Sequence, residues 1–188
     1  LRGLLRLEPR TGAVKRYASF ATASVEDNKC FVVYRTDSGD LYVGTTLGLM
    51  KYDKGADSFV SQKEFEGKFI TGIDEDSKGR MWVSTYADGA YRFDPSGVDT
   101  LSRYQYPDRL PTNKLSGIYV DGRDRVWALG FSFGFCLYDR SKDGFEQFCR
   151  RSIPDLPSDV FFSVIDGREG NLWLSSDVGI VKYNPESH

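Results

Sequence analysis

The sequence predicts an all-β protein assembled from repeated four-stranded antiparallel sheets. Three observations carry that prediction. Aromatics make up 14% of the 188 residues and glycine occurs 19 times, with Val, Ile, Phe and Tyr spread evenly, a composition of strands and tight turns. An aromatic residue recurs at Tyr42, Trp82, Trp127 and Trp173, at spacings of 40, 45 and 46, and this column holds all three tryptophans. A glycine recurs at Gly3, Gly48, Gly89, Gly134 and Gly179, at spacings of 45, 41, 45 and 45. Self-similarity at such a period marks a repeat architecture.

Each repeat divides into four strands. The first carries a β-branched residue nine positions before the aromatic: Val33, Ile73, Ile118 and Val164. The residue before it is Val32, Gly72, Gly117 or Ser163, and a strand that tolerates glycine there is expected to lie where other backbones crowd in. A turn follows, rich in Asp and Gly, of the kind that closes hairpins: Asp37 to Asp40, Asp76 to Gly79, Asp121 to Asp124 and Asp166 to Gly170. The second strand holds the aromatic column on one face and Leu41, Met81, Val126 and Leu172 on the other. The third opens at the glycine column. Large apolar residues (Leu7, Tyr52, Phe93, Tyr138 and Tyr183 four positions on) alternate there with a mostly basic column of Arg6, Lys51, Arg92, Leu137 and Lys182. Glu8, Asp53, Asp94, Asp139 or Asn184 then starts a turn. The fourth strand lies around Val14–Tyr17, Phe59–Gln62, Leu101–Tyr104 and Phe145–Cys149.

A second strand that is apolar on both faces must be covered on both sides. Four-stranded sheets stacked radially, each covered by the next, form a β-propeller, and no helical period supports a βα solenoid. The expected divisions are 1–20 as the end of one blade, 28–62, 66–104 and 114–150 as full blades, and 160–184 as three strands of a last. About four blade-equivalents result. Because a neatly closed ring would duplicate a strand, the chain is expected to be part of a larger ring, with a closed four-bladed ring as the alternative.

The most complete unit is Leu156-Pro157-Ser158-Asp159, an apolar strand, Gly170-Asn171-Leu172-Trp173, and Gly179 to Pro185. It resembles the two-component regulator propeller repeat. The pattern recurs at Leu110-Pro111-Thr112-Asn113 with Trp127 and Gly134 to Asp139, and less completely around Trp82 and Tyr42, where the Leu-Pro element is missing. No Trp-Asp dipeptide or Gly-Gly pair points to other propeller repeats. The resemblance implies a seven-bladed ring in the periplasmic sensor domain of a hybrid two-component system, as in gut Bacteroidetes. It implies an oligosaccharide ligand, and an inner-membrane protein with further blades, a membrane helix, a histidine kinase and downstream signalling domains elsewhere in the parent chain.

Candidate binding residues follow from the loops that share one face, those joining strand two to strand three and strand four to the next strand one. Tyr86, Phe131 and Phe133 are loop aromatics on which sugar rings could stack, and Asp88, Asp177, Asn113 and Asp159 could accept sugar hydroxyls. The competing reading is that Phe131 and Phe133 cap the core and that Asn113 and Asp159 bond local backbone. Lys51, Arg92 and Lys182 could line an interaction rim or form a solvated strand face.

Other classes find less support. The net charge of −2 gives no basic surplus for nucleic acid. No catalytic, cofactor or metal site is expected: the single histidine is His188, and nucleophile, phosphate-loop and metal-spacing motifs do not occur. A propeller lyase, which would be expected to need a central histidine, or a hydrolase ranks below a protein-interaction or homodimerisation scaffold. Cys30 and Cys136 read as small buried apolar residues, while pairing of Cys136 with Cys149 stays open.

Overall fold

A computed structural model describes residues 3–17, 29–97 and 101–187. His188, residues 1–2 and 18–20 of the expected N-terminal partial blade, and residue 28 at the start of the next lie outside them. The chain divides into two compact units, Leu1–Ile70 and Thr71–His188.

In the first unit, β1 (Leu4–Leu7) and β2 (Val14–Tyr17) form a two-stranded sheet. The strands β3 (Cys30–Arg35), β4 (Leu41–Thr45), β5 (Gly48–Asp53) and β6 (Ser58–Ser61) form the first blade, in that order across the sheet. Val43 and Met50 are buried there against Leu4, Tyr17, Cys30 and Phe59. Val33 departs from its column and is 53% exposed.

The second unit carries the second blade, β7 (Ile70–Glu75, whose first residue belongs to the first unit), β8 (Met81–Thr85), β9 (Ala90–Phe93) and β10 (Ser102–Tyr104). The third blade is β11 (Leu115–Val120), β12 (Val126–Gly130), β13 (Phe135–Asp139) and β14 (Gly144–Phe148). The fourth sheet has three strands, β15 (Phe161–Asp166), β16 (Leu172–Ser176) and β17 (Gly179–Tyr183). Every pairing is antiparallel between neighbours in sequence, as the repeat predicts.

The cores lie between blades. Trp82, Ala90 and Tyr104 of the second blade pack with Ile118, Val126, Ala128, Cys136 and Tyr138 of the third. Trp127, Leu129 and Phe135 of the third pack with Phe161, Val164, Leu172, Leu174 and Tyr183 of the fourth. Trp82 and Trp127 therefore face the following blade. Both are buried, whereas Trp173, with no following sheet against it among the described residues, is 42% exposed.

An aspartate six positions before the tryptophan explains why the column favours indole. Asp76 Oδ1 accepts the backbone N–H of Lys78 and Arg80, and Oδ2 accepts Trp82 Nε1–H at 3.0 Å and Arg80 Nε–H at 2.8 Å. Asp121 repeats the set with Arg123, Arg125 and Trp127 Nε1, the last at 2.8 Å. Burial pushes the Asp76 carboxyl up, but the Arg80 and Trp82 hydrogen bonds outweigh it and hold it below the usual range.

The crowding expected at the glycine before the β-branched column is present at Gly72, where a Cβ would meet Ile118 N at 2.7 Å. At Gly117 the nearest atom, Phe162 O, is at 3.7 Å, an ordinary contact.

Candidate functional site

The strand two–three loops of the second and third blades bring two of the sequence candidates together. Tyr86 and Phe131 meet edge to face, with ring centroids 5.7 Å apart and planes at 62°. They are 42% and 36% exposed, so the pair is fixed by its own contact yet open to solvent.

The loops under the pair are tied down by local bonds. Thr85 Oγ1 accepts the Asp88 N–H at 2.8 Å and donates to Gly89 O at 2.8 Å, closing the Tyr86 loop. In the Phe131 loop, Phe133 folds back over Gly130 so closely that a Cβ on Gly130 would lie 1.6 Å from its ring. Phe133 is only 8% exposed and joins the core between the second and third blades. That is the capping role, and it leaves Phe131 as the outward aromatic of the loop.

Asn113 and Asp159 occupy equivalent positions and perform equivalent work. Asn113 Oδ1 accepts the Tyr106 N–H at 2.7 Å, and its carbonyl accepts the Gly89 N–H at 3.0 Å. Asp159 Oδ1 accepts the Arg150 N–H at 2.7 Å, and its carbonyl accepts the Gly134 N–H at 2.8 Å. Both fasten the incoming linker to the strand two–three loop beside it. Asp177 Oδ1 accepts the buried Ser158 hydroxyl at 2.5 Å, a third linker-to-loop tie. Asp88 O accepts Gln105 Nε2–H at 3.2 Å.

Tyr106, outside every repeat column, is 61% exposed on the linker fastened to the Tyr86 loop. A position with no counterpart in the other repeats is the signal that could have found it. Below the linker, Arg109, Asp139, Lys142, Phe145 and Glu146 line a groove of about 380 Å³ of mixed charge.

Within the basic column, Lys182 is exposed on its strand, while Arg92 departs from both sequence expectations. Arg92 is neither a solvated strand residue nor a rim cation. Its guanidinium lies over the Trp82, Tyr104 and Tyr138 rings at 5.4 to 5.8 Å and donates to Tyr138 Oη at 2.8 Å.

Five antiparallel sheets, with buried aromatics between successive blades of the second unit, define β-propeller blades. Residues 64–87, from the first–second blade linker through Tyr86, match the family model described as the two component regulator propeller. No curated protein sequence matches the chain. Among solved structures, the extracellular domain of BT4673 from B. thetaiotaomicron is similar at 19% identity and a TM-score of 0.78, over 97% of this chain and 25% of that one. The extracellular domain of BT3049, a hybrid two component system of the same organism, is similar at 19% identity and a TM-score of 0.75, over 89% of this chain and 25% of that one. Virginiamycin B lyase from Staphylococcus aureus is similar at 13% identity and a TM-score of 0.67, over 96% of this chain and 62% of that one. The chain thus spans about a quarter of the length of the first two, and at these identities the likeness is one of fold.

Proposed function

We propose that this chain is a non-catalytic, ligand-sensing propeller segment of a bacterial two-component sensor, and that its ligand is an oligosaccharide. The observation that carries the reading is the exposed Tyr86–Phe131 pair on a loop face held rigid by Thr85, Phe133 and Asn113. Sugar rings present apolar C–H faces to such aromatics, and a fixed platform keeps the ordering cost of binding low. The match of residues 64–87 to the regulator propeller repeat supports the sensor part, as does the likeness to structures of extracellular domains. The parent protein would hold this segment in the periplasm and relay binding across the inner membrane to a histidine kinase. No helix among the described residues is long and apolar enough to cross a membrane.

The test is calorimetric titration of the intact parent domain against a broad glycan panel, followed by Tyr86→Ala and Phe131→Ala. Loss of one stacking aromatic should weaken binding by roughly 1 kcal/mol or more, about fivefold, with the melting temperature of the unliganded domain nearly unchanged. An intact domain that gives no heat with any glycan overturns the ligand class. A second reading, a protein-interaction scaffold, is favoured by the exposed apolar face of the last sheet. It predicts a stable complex or dimer by light scattering.

A further inference from the structure

A side-chain cluster recurs where blades meet, and one half of it stands alone at Lys182. In the second unit, Asp143 sits in the turn between β13 and β14 in the left-handed region, at φ 47°. Its Oδ1 accepts the hydroxyls of Tyr138, in its own blade, at 2.5 Å and of Tyr104, in the preceding blade, at 2.9 Å. Arg92 of the preceding blade reaches the same carboxylate at 3.7 Å, and Arg109 reaches it at 2.9 Å. The first unit holds the same cluster: Asp57, at φ 46°, accepts from Tyr52 at 2.5 Å and from Tyr17 at 2.7 Å, with Arg6 at 3.2 Å and Lys15 also bonded. Counted from the glycine column, the cation is third on one sheet, and the tyrosine and aspartate are fourth and ninth on the next.

The other members of the basic column are satisfied differently. Lys51 pairs within its own blade with Asp40 at 2.7 Å. Leu137 carries no charge and packs in the core between the third and fourth blades. Among the described residues, Lys182 has neither solution. The position matching Asp40 is Asn171, and the cation lies 6.0 Å over the exposed Trp173 ring. The aspartate that takes the indole N–H of Trp82 and Trp127 is replaced by Gly167, which lies against the Trp173 ring edge instead. Around them, Arg168, Glu169, Asn171, Trp173 and Lys182 line a depression of about 430 Å³. Ile165 and Ile180, 61% and 77% exposed, continue the face. Their counterparts in the third blade, Tyr119 and Phe135, are bonded to Asp166 and packed on Phe161, both of the fourth sheet.

We infer that this face docks another blade of the same repeat, one bearing a tyrosine four and an aspartate nine residues after its opening glycine. The carboxylate completes the cluster on Lys182, and the tyrosine ring covers Trp173 as Tyr138 covers Trp82 at 4.8 Å. A second copy of this chain does not fit through its N-terminal sheet. That sheet offers Leu7 and Gly12 at the two positions, so it leaves the Lys182 charge unpaired against apolar surface.

The experiment extends the chain after Asn184 with a copy of its own residues 95–150 carrying Trp127→Phe, which supplies a fourth strand and a blade with copies of Tyr138 and Asp143 and adds no tryptophan. Trp173 is the reporter, being the one exposed tryptophan of three. In the parent chain acrylamide should quench one tryptophan of the three; in the extended chain it should quench none, with a blue shift in emission. Lys182→Glu in the extended chain should restore quenching, and adding Asp143→Lys in the appended copy should abolish it again. Trp173 remaining quenchable in the extended chain overturns the docking. Indifference to Lys182→Glu overturns the assignment of the acidic partner. Concentration-dependent protection of Trp173 in the unextended chain overturns the choice of occupant in favour of a second copy.

Discussion

Asp76 shows how one carboxylate serves both a hairpin turn and an interblade core. It takes two backbone N–H groups, the Arg80 guanidinium and the Trp82 indole, so its removal strands one buried donor, the indole, and three part-buried ones at once. Asp76→Ala should cost about 3 kcal/mol in urea unfolding, while Arg80→Ala, which removes a partly exposed cation, should cost less than half as much. Equal costs would mean that the ion pair, not the indole bond, matters most. The cysteines obey the same local logic. Cys136 faces Gln147 across β13–β14, which puts Cys149 on the diagonal, roughly 7–8 Å away between Cα atoms and beyond disulfide reach without backbone movement. Burial pushes the Cys136 thiol up. Under native conditions a thiol reagent should label Cys149 and leave Cys136 untouched until the chain unfolds; early labelling of Cys136 would contradict its packing.

At the scale of the strand, the glycine column turns out to be two requirements in one. Gly89 and Gly134 have φ of 77° and 84°, and a Cβ there would lie 2.2 Å and 1.9 Å from the carbonyl oxygens of Tyr104 and Phe148 on the adjoining fourth strand. Gly179, at φ 131°, has no atom within 4 Å of such a Cβ. Gly179→Ala should therefore cost only backbone strain, of order 1–3 kcal/mol. Gly134→Ala adds a backbone collision and should cost distinctly more, read as a larger drop in melting temperature. Matching drops would remove the fourth strand from the explanation. The position of these glycines, the order of the strands and the aromatic column were legible because a backbone periodicity imposes them on every repeat. The Asp57 and Asp143 clusters were not, although the spacing of Arg6, Tyr52 and Asp57 recurs in Arg92, Tyr138 and Asp143. Their meaning depends on which strands face each other across two sheets and on a left-handed turn residue, neither of which a single strand's alternation encodes. The binding candidates were legible in the same partial way. Loop aromatics stand out by composition, but only the fold over Gly130 separates the outward Phe131 from the inward Phe133.

Across the whole molecule, the repeated use of aspartate as an acceptor gives stability a definite dependence on pH. Asp57, Asp76, Asp124 and Asp143 are all held below the usual carboxylate range, and Ser141 and Lys142 bring Asp139 down to about 2. For Asp143, burial opposes the shift, but the Tyr138 and Tyr104 hydroxyls with Arg109 and Arg92 outweigh it. A carboxyl whose folded value lies below its unfolded value stabilises the fold fully above the unfolded value, near 4, and loses that contribution as the pH falls through the folded value. The tyrosines act with the opposite sign. Tyr52, bonded to Asp57, and Tyr119 and Tyr183, raised first by burial, all stand at about 12, so their contribution is present below about pH 10 and lost as the pH rises toward 12. The melting temperature should then be nearly level from about pH 5 to 9 and fall on both sides. Buried Asp76 should weigh more in the acid limb than Asp57 and Asp139, which solvent screens. Asp143→Asn separates this account from general acid unfolding. At pH 7 the variant should melt lower than the parent chain, and the gap should close between pH 5 and pH 2 as the parent carboxyl takes up its proton. A gap that stays constant to pH 2 would show that the Asp143 cluster holds the second and third blades together through packing of Tyr104 and Tyr138 alone, with no contribution from the charge.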